Sequence, residues 1–331
     1  MAIIEIKNLT KKFNGLTAVD NVSLDIEEGE LFGFLGPNGA GKTTTISMLS
    51  TTLRPTSGTA TLAGFDIIKE QHDVRQNIGI VFQDPSLDTE LTGRENLRFH
   101  GRMYNMPHDL REQRIAEVLE LVELTDKADI VVKKYSGGMK RRLEIARGLM
   151  HHPKVLFLDE PTLGLDPQTR RRLWSYIHNL NKSENVTMML TTHYMDEADK
   201  LCNRVGIIDR GKIVAVDTNH NLKKVVGGDV VTLGTDNPQK LRAALETEVK
   251  VGKIEVKEDS ITFVISDGDH FIPQIIKCAE HRGIDISSVH SDEPSLEDVF
   301  IHYTGKRVRD KEADEKDNFR DHVRQRQKMR R

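Results

Sequence analysis

The sequence predicts an α/β fold, and three features carry that reading. Strand-like apolar runs alternate with helical patterns over residues 1–220. Two of the runs, Val155-Leu156-Phe157-Leu158 and Val186-Thr187-Met188-Met189-Leu190, are continuous, as strands covered on both faces require. A glycine-rich segment, Gly36-Pro37-Asn38-Gly39-Ala40-Gly41-Lys42-Thr43, falls between a strand pattern and a helix pattern.

Taken in order, Ile3-Ile4-Glu5-Ile6 and Val22-Ser23-Leu24-Asp25-Ile26 read as strands of an antiparallel portion. Leu31-Phe32-Gly33-Phe34-Leu35 is a short buried strand, and Thr43 to Leu53 reads as the helix after the glycine-rich segment. Gly79-Ile80-Val81-Phe82 is another short strand. A helix-rich stretch follows from about Asp84 to Met150, with Ile115, Val118, Leu119 and Val122 at helical spacing. A domain boundary is predicted at Val226-Gly227-Gly228. From 229 to 305 the order strand, helix, strand, strand, helix, strand, helix fits a split βαβ, ferredoxin-like unit. Its pieces are Val230–Gly234, Pro238–Glu248, Gly252–Lys257, Ile261–Ser266, Phe271–His281 and Ile286–His290.

Composition bounds the function. The chain has 331 residues, 30% charged and 37% hydrophobic, which suits a soluble protein of two domains. No apolar run approaches the roughly 18–20 residues that cross a bilayer. The start, Met1-Ala2-Ile3-Ile4-Glu5, lacks a secretory pattern, so a cytoplasmic location is expected, with any membrane attachment made through a partner. Cys202 and Cys278 have no metal-ligand spacing and read as plain thiols. His151-His152, before Pro153, reads as a solvated loop. The net charge is −3, but residues 306–331 carry eleven Lys/Arg against six Asp/Glu, or +5, leaving −8 for the rest. A nucleic-acid binder is not expected from that balance.

The glycine-rich segment has the spacing of a phosphate-binding loop. Its glycines let the backbone N–H groups turn inward, and the helix after it adds a positive end. Lys42 then reaches β- and γ-phosphates, and the Thr43 hydroxyl suits Mg²⁺. Asp159 and Glu160 end the Val155–Leu158 strand. Asp159 suits the Mg²⁺ shell and Glu160 the polarisation of an attacking water; two acidic residues at an exposed strand end are the plain alternative. Ser136-Gly137-Gly138-Met139 opens a helix with free N–H groups for an anion, or is simply a capped helix. Gln83 suits a contact to Mg²⁺ or water, or is a loop residue. His193 suits a hydrogen bond to a γ-phosphate, or is structural. Phe13 is equally suited to stacking on adenine and to core packing.

Together these elements resemble the ATP-binding subunit of ABC transporters, a P-loop NTPase family. The order is phosphate loop Gly36–Thr44, Gln83, signature Tyr135-Ser136-Gly137-Gly138-Met139, Asp159-Glu160, the turn Leu163-Gly164-Leu165-Asp166, and His193. The family often has Leu and Gln where this chain has Tyr135 and Met139. The resemblance implies an ABC ATPase cassette over 1–225, with a RecA-like core, an antiparallel β subdomain and a helical subdomain over about 84–150. It implies ATP and Mg²⁺ as cofactors. Phe13, residues 36–44, Ser136, Gly137, Gly138 and Asp166 then belong to the nucleotide site. Thr43, Gln83 and Asp159 belong to the metal, and Lys42, Gln83, Glu160 and His193 to catalysis, with Glu160 as general base. It also implies a homodimer with nucleotide sandwiched at the interface, because the signature of one cassette faces the nucleotide of another.

Glu293-Pro294-Ser295-Leu296-Glu297-Asp298-Val299-Phe300 resembles the ending of the daunorubicin-resistance, multidrug-export subclass. That subclass pairs such a subunit with a separate membrane permease. The expected function is therefore an ATPase that powers export of a drug-like or lipophilic compound from the inner face of the membrane. The rival is a soluble ABC-type ATPase acting on DNA or ribosomes, but second cassettes, coiled-coil insertions and zinc cysteines are not visible. The tail from Lys306 to Arg331 reads as a solvated, disordered extension, with docking to anionic lipid as its functional rival.

Overall fold

A computed structural model describes residues 2–84, 86–248, 254–256, 259–265, 268–292 and 294–304. The charged tail 306–331 lies outside them. The chain divides into two compact units, the first ending at Val216 and the second beginning at Asp217.

In the first unit, β1 (Ala2–Phe13) pairs antiparallel with β2 (Leu16–Glu27) and with β4 (Ser57–Leu62), which pairs with β5 (Phe65–Asp66). These strands are longer than the apolar runs that announce them. The second sheet has six strands in the order β10-β9-β3-β8-β7-β6. They are β3 (Leu31–Leu35), β6 (Ile78–Val81), β7 (Val155–Asp159), β8 (Thr187–Thr192), β9 (Arg204–Asp209) and β10 (Lys212–Thr218). Every residue of β3, β7 and β8 is buried, which explains why their sequences run apolar without alternation. β3 is parallel to β8 and β9, and β7 is parallel to β6 and β8.

Helices connect these strands. α1 (Lys42–Leu49) stops earlier than the sequence suggests. Ser50 caps it by donating its N–H to Ile46, and Thr51 turns to φ 62°, which closes the helix before Leu53. α2 (Gln71–Asn77) precedes β6. α3 (Gly93–Met103), α4 (His108–Leu121) and α5 (Gly137–Leu149) form the helix-rich stretch. α3 opens with a capping box between Thr92 and Glu95. Ile115, Val118 and Leu119 form the buried stripe of α4. α6 (Pro167–Glu184) and α7 (Met195–Leu201) follow β7 and β8. Among the described residues no helix is long and apolar enough to cross a membrane.

The second unit starts with α8 (Asn219–Val226), which packs on α11 (Leu296–Thr304), so that helix stands with this unit and not with the cassette. Between them lie β11 (Asp229–Gly234), α9 (Pro238–Glu248), β12 (Ile254–Val256), β13 (Ser260–Ile265), α10 (Gly268–His281) and β14 (Ser288–Asp292). The strands form one antiparallel sheet in the order β12-β13-β11-β14, the ferredoxin-like topology. Val231, Leu233, Ile261, Phe263 and Ile265 alternate into its core against Leu241 and Ile275.

His151 is not in a solvated loop. Its ring stacks on Tyr104 with centroids 3.9 Å apart, its Nε2 meets the Ile78 carbonyl oxygen at 2.8 Å, and His100 lies 4.9 Å from Tyr104. Burial pushes the His100 pKa down to about 3, helped by the Arg147 charge, and pushes His151 down to about 4. An exposed histidine titrates near 6.5, so below that pH the unfolded chain takes up protons that the folded chain refuses. Stability should therefore fall as pH drops from about 6.5 towards 4, with a slope of about 1.4 kcal/mol per pH unit for each histidine. His100→Phe should make the pH dependence of the urea midpoint shallower. An unchanged slope would mean that the ring does not stay neutral in the folded chain.

Candidate active site

The parallel register decides where the chemistry sits. Phe34 is level with Thr191, Thr191 with Asp159, and Leu35 with Thr192. Gly36, Glu160 and His193 therefore leave the sheet along one edge, the carboxyl ends of its strands. The loop Gly36–Gly41 fits only as glycine at two points of close approach. A Cβ on Gly36 would lie 2.4 Å from the Ile208 carbonyl oxygen, and one on Gly41, at φ 107°, would lie 2.5 Å from that of Ala18. Pro37 and Ala40 are buried, whereas Asn38 and Gly39 form the exposed tip. Gly41 gives α1 no side-chain cap, so the first N–H groups of the helix are open to an anion. Thr44 sits half-buried in its first turn.

Two candidate side chains, Lys42 and His193, meet at Glu160. Lys42 Nζ lies 3.3 Å from Glu160 Oε1, and His193 Nδ1 lies 3.2 Å from the same oxygen. Lys42 also donates to the carbonyl oxygens of Gly36, at 2.8 Å, and Pro37, at 3.0 Å. Burial pushes the Glu160 pKa up, but the adjacent His193 ring and the Lys42 charge outweigh it and hold the carboxyl below its ordinary range. Glu160 is thus ionised at neutral pH. Its backbone is left-handed, at φ 45°, a conformation that costs a non-glycine residue roughly 1–2 kcal/mol. Its N–H donates to both the carbonyl and the hydroxyl oxygen of Thr191, each at 3.1 Å.

Asp159 faces different partners. Thr191 donates its hydroxyl to Asp159 Oδ1, and Thr43 Oγ1 donates to the same oxygen at 3.3 Å. A hydroxyl and a carboxylate side by side form an oxygen donor set that fits a hard divalent cation such as Mg²⁺. The His193 ring lies tilted at 40° against Tyr194, with 4.1 Å between ring centroids, and Arg170 lies 4.1 Å over the Tyr194 ring.

The other residues singled out by the sequence have local partners of their own or an exposed position. Gln83 is exposed after β6, and among the described residues no hydrogen bond joins it to Thr43 or Asp159. Phe13 ends β1 and is 43% exposed, a ring offered to a partner more than a core residue, with Lys11 Nζ 5.0 Å from its centroid. Ser136 caps α5 by accepting from the Met139 N–H at 3.3 Å, and Gly137 and Gly138 follow it in the first turn. Asp166 caps α6, accepting from the N–H groups of Gln168 and Thr169 at 3.1 and 3.0 Å. Sequence reasoning missed Thr191, whose hydroxyl serves Asp159 and Glu160 together. It also missed Arg141, hidden in a run of basic residues, and Glu197, a fully buried carboxyl that accepts from Trp174 Nε1 at 2.9 Å and whose pKa burial pushes up.

A phosphate loop at the edge of a parallel sheet, with an ionised carboxylate, a lysine and a histidine converging on it, defines an ATPase of the cassette type. The family model described as ABC transporter matches residues 19–163, and that described as ATP-binding protein DrrA1-3-like, C-terminal domain, matches residues 218–304. The chain is 39% identical to the linearmycin resistance ATP-binding protein LnrL of Bacillus subtilis (strain 168), over 93% of this chain and 100% of that protein. It is 38% identical to the daunorubicin resistance ATP-binding protein DrrA2 of Streptomyces coeruleorubidus, over 93% of this chain and 96% of that one. Its fold matches the dimeric, post-hydrolysis structure of the ATP-binding cassette MJ0796 bound to ADP and Pi. That match has a TM-score of 0.58 at 28% identity and covers 65% of this chain and 98% of the other. The chain belongs to the ATP-binding subunits of ABC transporters, in the drug-resistance and export branch, and it is an ATPase that powers export.

Thr191→Val removes the hydroxyl shared by Asp159 and Glu160 while keeping volume. Taking this donor from the buried Asp159 carboxylate should cost about 1–3 kcal/mol, read as a lower urea midpoint. A midpoint equal to wild type would show that Asp159 and the Glu160 N–H are satisfied without it.

Proposed function

We propose that the edge cluster hydrolyses ATP with Glu160 as general base, and that it does so for a separate membrane permease. The convergence of Lys42 and His193 on one oxygen of Glu160, beside the Thr43–Asp159 pair, carries this reading. The β- and γ-phosphates lie in the loop Gly36–Thr43, held by its N–H groups and Lys42. Lys42 exchanges Glu160 for phosphate oxygens, which frees the carboxylate to take a proton. A water attacks the γ-phosphorus in line: its oxygen bonds to phosphorus as the bond to the β-phosphate bridging oxygen breaks. Glu160 accepts the water proton, and His193 donates a hydrogen bond to the γ-phosphate. Mg²⁺, held by Thr43 and Asp159 with Gln83 as a further contact, would neutralise phosphate charge. Phe13 offers its exposed ring to adenine.

Ser136, Gly137 and Gly138 complete the site of a second copy. The dimer formed by the MJ0796 cassette supports this. Asp166 lies at the same seam. The permease holds the subunit at the inner face of the membrane, and the cargo is lipophilic, by analogy with relatives named for resistance to linearmycin and daunorubicin.

Glu160→Gln should keep ATP affinity and lower phosphate release about 10²–10⁴-fold, the range a general base contributes. Lys42→Ala should weaken nucleotide binding itself. Phosphate release and nucleotide titration, with and without the co-purified permease, separate these effects. Near wild-type turnover by Glu160→Gln would remove Glu160 from the base role.

A further inference from the structure

Arg141, in the basic run Lys140-Arg141-Arg142, is only 7% exposed, and its neighbour on α5, Glu144, is 1% exposed. Arg141 Nε donates to the Pro161 carbonyl oxygen at 2.7 Å. One terminal nitrogen donates to the Phe82 carbonyl at 2.6 Å and to Glu144 Oε2 at 2.8 Å. The other donates to the carbonyls of Asp159, at 3.2 Å, and Glu160, at 3.0 Å. Every N–H of the guanidinium thus has an acceptor. Three of those acceptors are the consecutive carbonyls that surround the left-handed turn at Glu160. A fourth immediately precedes Gln83.

The same face of α5 holds the far end of that segment. The other oxygen of Glu144 accepts the Ser86 N–H at 2.9 Å, and Arg147 donates to the Ser86 carbonyl at 2.7 Å and to its hydroxyl. Residues 141, 144 and 147 recur at helical spacing, so one rigid face grips both the Gln83 segment and the turn after β7.

We propose that Arg141 is a positioning residue for the reaction: it holds the backbone turn that aims the Glu160 carboxylate and ties the Gln83 segment to that same turn. The inference rests on Glu160 being the base. The hydrogen-bond partners of Arg141 lie at Phe82, Glu144 and Asp159 to Pro161, outside the Gly36–Thr43 loop and α1, so nucleotide affinity should not depend on it. A lysine places its donors on one atom and cannot span carbonyls that a planar fork reaches in several directions.

The test uses the full chain with Arg141→Lys, and with Arg141→Met combined with Glu144→Leu, which removes the buried pair together and leaves no lone charge. Phosphate release, the ATP KM, the affinity for trinitrophenyl-ATP and the melting temperature are measured for each. A misplaced base should lower kcat about 10²-fold while KM and affinity stay within about twofold. Where Arg141→Lys does not fold, the paired variant decides. A folded variant with kcat within about twofold of wild type overturns the proposal, as does a loss of kcat accompanied by a matching loss of nucleotide affinity. Glu160→Gln is run beside them. If it turns over normally, the base assignment fails; if it stalls while the Arg141 variants do not, the positioning role alone fails.

Discussion

Strands β3, β8 and β7 run parallel and in step, and the site exists because they end together. Phe34, Thr191 and Asp159 form one row across the sheet. The next residues outward open the phosphate loop, lead to His193 and become Glu160. A slip of one residue between β7 and β8 would turn Asp159 away from the Thr191 hydroxyl and separate Glu160 from both Lys42 and His193. Parallel neighbours are not joined by tight turns; helices make the crossings. The packing of α1 on β7, and of α7 on β3 and β8, therefore has to fix a register that no hairpin enforces.

Adjacent carboxylates at this edge have different surroundings, and the backbone arranges the difference. Asp159, still in extended strand, receives hydroxyl donors from Thr43 and Thr191. Glu160, one residue on, turns left-handed and meets a lysine and a histidine instead. Hydroxyls leave a carboxylate free to share its oxygens with a metal, whereas a cation beside a carboxylate fixes its charge and competes for its lone pairs. Two acidic residues in sequence thereby become suited to separate tasks.

Much of this was legible in the sequence because the signals were local. Continuous apolar runs identified the buried strands, and glycine spacing located the phosphate loop. Asp159, Glu160 and His193 stood at strand ends, where a parallel sheet gathers its chemistry. The ferredoxin-like order was also readable, since β11 and β13 alternate and α9 and α10 carry apolar stripes. What escaped were features set by tertiary packing. Arg141 looks like any arginine in a basic run until its carbonyl partners, far away in sequence, are known. His151 follows a helix and precedes a proline, as loop residues do, yet the stack on Tyr104 takes it out of water. The early end of α1 depends on hydroxyl contacts of Ser50 and Thr52 to the Ser47 carbonyl, which no apolar periodicity records.

Helix α5 joins these levels. Its first turn opens at the Ser136 cap, while its middle grips the turn that carries Glu160 and both ends of the segment that carries Gln83. A guanidinium with every donor engaged has no spare geometry. Moving the Gln83 segment means either breaking charge-assisted bonds in a buried place or carrying the Glu160 turn along. The helix that opens at Ser136 is thus mechanically part of the turn that carries Glu160, and a displacement of the Gln83 segment is felt at that turn through packed backbone.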